Sequence, residues 1–132
     1  MKGFKTHKDF QDFIIKYYRI KVNEKSICYS RTHIHPRERL LCKWNRANSI
    51  KSTFTLLHEI GHCENNNSKM RRCEQEYYAT QWAIDICNDY DIKIPQSIID
   101  KYQKYVFREL DRGLRRGGIG YPSKEEMTFK GV

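Results

Sequence analysis

The sequence predicts an α+β domain: an N-terminal helix, a small and mainly antiparallel sheet, then a central helix and further C-terminal helices. Three observations carry that expectation. Apolar residues recur at helical spacing near the start, two short apolar runs bounded by turn residues follow, and helical spacing resumes from about residue 52.

The 132 residues suit one domain with a modest core, and no repeat, low-complexity tract or linker divides them. Residues 117–132 are expected to form an irregular tail of that single 1–132 domain. Hydrophobic residues make up 39% and charged residues 31%, with no apolar run long enough to span a membrane. The opening MKGFKTHKDF lacks the apolar stretch of a secretory signal, so the cytoplasm is the expected compartment. Five cysteines, an odd number with no C-x-x-C pair, suit buried free thiols better than a disulfide framework.

From Thr6 to Arg19, the residues Phe10, Phe13, Ile14, Tyr17 and Tyr18 form one helical face, with Thr6 and Asp9 able to cap its start. Lys21 to Ser30 reads as a short strand through Val22, Ile27, Cys28 and Tyr29. Arg39 to Trp44 reads as a second, set between His35-Pro36 and the polar stretch Asn45 to Ser49. Ser52 or Thr53 offers an N-cap for a helix to about Glu64, stopped by Asn65, Asn66 and Asn67. Another helix is expected from about Ser68 to Tyr90. Pro95 opens the last, with Ile98, Tyr102, Tyr105, Val106 and Leu110 facing inward. Gly113, Gly117, Gly118 and Gly120 are expected to end it.

The segment His58-Glu59-Ile60-Gly61-His62 carries the chemistry. Histidines four apart on a helix project from one face and can share one ion. Neutral imidazole suits Zn2+, and Glu59, directly after the first ligand, is placed to take a proton from a zinc-activated water and pass it to a leaving amine. Gly61 marks a point where a neighbouring backbone can approach closely.

Two histidines leave a catalytic zinc site one protein ligand short. Glu74, Glu76, Asp85 and Asp89 on the following helix are the candidates. Glu76 shares a face with Ala79, Thr80, Ala83 and Cys87, small residues that let this helix pack closely on the motif helix and bring Glu76 to the metal. Glu74, about 200° away on the helix, points elsewhere.

T-L-L-H-E-I-G-H, followed by E-Y-Y-A-T-Q-W-A-I from Glu76 to Ile84, resembles the ImmA/IrrE-type metallopeptidases. The resemblance covers about residues 26 to 90, with Glu76, Ala79, Trp82 and Ala83 matching that family's second helix and Leu40-Leu41-Cys42 its strand before the motif. It implies a minimal zincin-like domain, zinc on His58, His62 and Glu76, and cleavage of a protein substrate, often a transcriptional repressor. No helix-turn-helix module accompanies the motif, and the stretch from Pro95 onward matches no pattern of the family.

The formal charge of +9 admits other partners. Arg108, Arg112 and Arg115 form one stripe at helical spacing, able to hold phosphates or an acidic segment, or simply to complement a helix C-terminus with the adjacent Arg116. Two rival functions follow. One is a basic nucleic-acid-binding module with a structural zinc, its fourth ligand coming from His33, His35 or Cys63. The other is a SprT-like protease acting on DNA-bound proteins. In the peptidase, His33 and His35 could line the cleft, Arg39 to Trp44 could add substrate to a sheet edge, and Tyr77, Tyr78 and Tyr121 are candidate oxyanion donors.

Overall fold

The computed structural model describes residues 1–23, 29–31, 39–42, 44–65 and 69–132. The chain is mostly helical. In order it forms α1 (His7–Tyr17), β1 (Ile20–Asn23), β2 (Tyr29–Arg31), β3 (Arg39–Cys42), α2 (Ile50–Glu64), α3 (Arg72–Asp89) and α4 (Gln96–Arg115).

α1 starts where the sequence places it: the Thr6 side chain accepts from the Asp9 amide, and Phe10 and Ile14 are buried. The strands differ from expectation. β1 runs parallel to β3 and β2 antiparallel to it, in the order β1-β3-β2, so the pairing is mixed rather than mainly antiparallel. β3 is therefore central, with hydrogen-bonded neighbours on both sides. A strand paired on both sides has no free edge, so residues 39–42 cannot take up an extended substrate by sheet addition. Ile27, Cys28, His33, His35 and Pro36 lie outside the described residues.

α2 begins earlier than expected. Ser49 is its cap, accepting from the Ser52 amide at 3.2 Å. Ser52 instead staples the preceding loop, accepting from Ala47 N at 2.9 Å and donating to Asn45 O at 3.0 Å. Trp44 closes over this turn, its indole donating to Ser52 O. Asn65 ends the helix and returns its side-chain amide to Gly61 O.

α2 and α3 pack together through small residues. Ala79, Thr80, Ala83 and Cys87 are all fully buried, and a Cβ at Gly61 would stand 2.5 Å from the carbonyl oxygen of Ala79. Only glycine fits there, because the obstacle is backbone and cannot rotate aside. Gly61→Ala should accordingly cost about 1–3 kcal/mol of stability in urea unfolding, the range for overpacking a tight interior, and should loosen metal binding with it.

α4 and the segment after it depart furthest from the sequence pattern. Ile99, not Ile98, is the buried residue of its first turns, followed by Val106 and Leu110. Gly113 lies inside the helix rather than ending it: a Cβ there, or at Gly118, would collide with the Tyr121 ring. Residues 117–132 have no regular secondary structure, but they are docked. Met127 and Phe129 are buried, Phe129 stacks on Tyr77 at 5.6 Å, and Gln103 donates to Met127 O and accepts from Phe129 N. Gln81 pairs likewise with both backbone groups of Lys130. Two glutamine side chains thus satisfy a segment that has no strand partner of its own.

Cys73 and Cys87 are buried and Cys63 is half-buried, all three as free thiols. Burial pushes the Cys87 thiol up to about 12 and raises that of Cys73, which makes both poor nucleophiles at neutral pH. Among the described residues, no helix is long and apolar enough to cross a membrane.

Candidate metal centre

The third and fourth turns of α2 and the first turns of α3 bring three side chains to one point. His58 Nε2 and His62 Nε2 are 3.1 Å apart. Glu76 Oε2 lies 3.1 Å from the first and 3.2 Å from the second. A tetrahedral ion with bonds of about 2.0–2.1 Å sets its ligand atoms about 3.3 Å apart. The triangle is within a few tenths of an ångström of that spacing, and its atoms are those that a zinc-like cation accepts, so the residues fit a metal ion. Among the described residues this is the one such group, and Cys63 is not in it.

Burial of Glu76 by itself raises its pKa. Hydrogen bonding to His58 and His62, together with their charge, outweighs burial and holds the carboxyl well below the usual carboxylate range. The group is thus ready as an anionic ligand. Its other oxygen, Oε1, is 3.4 Å from Arg72 Nε, one helical turn earlier on α3. Arg72 in turn donates to the Tyr105 hydroxyl of α4 at 3.3 Å; that bond is the largest influence keeping its guanidinium charged. The two carboxylate oxygens therefore have separate partners, one facing the histidines and one held from behind.

Behind His58 sits Thr80. Its hydroxyl donates to the Glu76 carbonyl at 2.9 Å, leaving Oγ1 free to accept from His58 Nδ1 at 3.0 Å. A carbonyl only accepts, and the hydroxyl has one proton to give. The Nδ1 proton of His58 is thereby held by Thr80 and Nε2 is turned toward the site, where a metal ion would take the place of the Nε2 proton that Glu76 accepts. Thr80→Val, nearly isosteric at a fully buried position, removes the acceptor and should weaken zinc affinity about 10- to 100-fold by competition with a chromophoric chelator.

Glu59 is half-buried and, among the described residues, makes no hydrogen bond or ion pair; it lines the same cleft as the three ligand atoms. That cleft, about 1090 Å³, has α2 and α3 on one side and α4 on the other. The Tyr102 ring lies 4.8 Å from that of His58.

The remaining candidates resolve differently. Glu74 is turned back on Arg71, meeting both its amide and its guanidinium, and Asp85 accepts from Gln81. Tyr77 is buried under Phe129, Tyr78 is exposed, and Tyr121 is covered by the Arg71 guanidinium; none of the three lines the cleft. Tyr102 packs inward on Phe54 as expected, at 5.1 Å between ring centres, and also lines the cleft; Tyr105, expected to face inward, is half-buried and lines it too. Sequence reasoning also missed Thr80 and Arg72 as partners of the site. Their positions four residues after and four before Glu76 were the available signal, since such residues share its helix face.

No protein-family model, curated protein or solved structure matches the chain.

Proposed function

We propose that the chain is a zinc-dependent endopeptidase of zincin-like, ImmA/IrrE type that hydrolyses a peptide bond in a cytoplasmic protein substrate, such as a regulatory or repressor protein. The observation that carries this reading is the near-tetrahedral spacing of His58, His62 and Glu76 at the wall of an open cleft that Glu59 shares. A structural zinc needs a fourth protein ligand closing the ion; among the described residues the group has three, beside a cleft, which leaves a position for chemistry, while His33 and His35 lie outside those residues.

Zinc held by these three side chains supplies Lewis acidity, polarising a scissile carbonyl and bringing the pKa of a water toward about 7. The protein's own residues do the rest. Glu59 accepts a proton from the attacking water and returns it to the departing amine, the work of a general base and then a general acid. Thr80 keeps the His58 lone pair directed inward, and Arg72 keeps Glu76 from swinging away.

The test is proteolysis of an unfolded protein mixture by zinc-reconstituted chain, with new N-termini mapped by mass spectrometry. New termini that vanish on chelation and return with zinc are expected. Termini that persist through chelation, or that never form in zinc-replete protein, would remove the reading.

A further inference from the structure

Resting on the peptidase reading, we infer that the substrate is an acidic peptide segment, gripped on one side of the scissile bond by a row of cations on α4. The row is Lys101, Lys104, Arg108 and Arg115. At 100° per residue these positions fall within about 60° of one another, so they share one face. Lys101, Lys104 and Arg108 line the cleft that contains His58, Glu59 and His62. Lys104 and Arg108 also line a second, smaller depression of about 330 Å³ that continues to Arg115 past Asp111, whose carboxylate is paired with Lys124 at 3.7 Å. The stripe read from the sequence was Arg108, Arg112 and Arg115, but Arg112 is paired with Glu109 at 3.2 Å. The four cations of the row are exposed and make no ion pair among the described residues.

Geometry gives the spacing of the acidic side chains. Tyr102 marks the level of the site, because its ring touches that of His58. With a rise of about 1.5 Å per residue, Arg108 lies about 9 Å along α4 from that level and Arg115 about 20 Å. An extended peptide advances about 3.3 Å per residue. Acidic residues about three and about six positions from the scissile bond would therefore meet Arg108 and Arg115, with Lys104 serving a nearer one.

A nucleic acid fits the same cleft poorly. Its backbone carries a charge at every residue and would lay phosphates over Glu59 and Asp100, which share the cleft. A peptide is neutral at the bond to be cut and can place its charges farther along. Phe107 and Tyr105, interleaved with the cations, offer apolar contact between them.

The experiment uses full-length Glu59→Gln protein reconstituted with zinc, so that bound peptide is not cut. Three fluorescein-labelled probes are titrated by polarisation: a peptide of about fourteen residues with four Glu, the same peptide with Gln at those positions, and a single-stranded DNA of equal length. The Glu peptide is expected to bind about tenfold tighter than the Gln peptide, and tighter than the DNA. In Lys104→Glu/Arg108→Glu protein the order should invert, a Lys-substituted peptide binding better than the Glu one. Loss of a merely structural residue produces no such inversion, and both positions are exposed. Equal binding of the Glu and Gln peptides, or tightest binding by DNA, would overturn the inference. Metal content and wild-type cleavage of the unlabelled Glu peptide are measured alongside. Acid preference in a chain that neither holds metal nor cuts would sink the peptidase reading while the basic row stood; metal and cutting without acid preference would sink this inference alone.

Discussion

Glu59→Gln should lower turnover about a thousandfold while leaving bound zinc unchanged. The substitution keeps the size and shape of the side chain but removes its capacity to take a proton, and a positioned general base contributes about 10²–10⁴ in rate. Glu59 stands outside the ligand triangle and makes no hydrogen bond or ion pair among the described residues, so an amide there should disturb neither the metal nor the fold. Comparing kcat for the two proteins on one cleaved peptide, with zinc quantified in the same samples, measures this. A variant that loses zinc as well would make Glu59 a ligand instead of a base.

Glu76→Gln should have the opposite signature. Zinc affinity is expected to fall more than about a hundredfold, beyond what the loss of a supporting hydrogen bond costs, because a ligand is lost. The neutral amide also withdraws the one carboxylate that, among the described residues, meets both imidazoles at this buried point. Arg72, which now faces Oε1, loses its anionic partner, and a charge without a partner beside a cation site repels the incoming ion. Activity should fall in proportion to zinc occupancy and recover in part at high zinc. Competition with a chelator of known affinity reads the first effect and a zinc titration of activity the second. Glu74→Gln is the control, since Glu74 is turned back on Arg71; it should leave both unchanged.

The helices and the donor triangle were legible in the sequence because their rules are local. Spacing of four put His58 and His62 on one face, and the small residues after Glu76 marked a surface that could approach another helix, which Gly61 and Ala79 realise in direct backbone contact. Strand order was not legible. Nothing within residues 39–42 says that β3 lies between β1 and β2, since that depends on partners distant in the chain. The helical pattern of α4 was visible, but not that Tyr102, packed inward on Phe54, and Tyr105 would also wall the cleft. Aromatic residues flanking an apolar stripe serve equally well as core or as cleft wall, and only the placement of α2 decides. The docked segment around Met127 and Phe129 gave no periodicity at all, because side chains, Gln103 and Gln81, satisfy its backbone in place of a ladder. Thr80 was taken for a packing residue; its hydroxyl acquires a second role once His58 is seen behind it.

The most direct test of the metal centre is zinc per chain in wild type, Glu59→Gln and Glu76→Gln, each purified without added metal. A near-equimolar ion in the first two, sharply reduced in the third, is the predicted result. Wild-type protein that takes up no zinc even after reconstitution would contradict it.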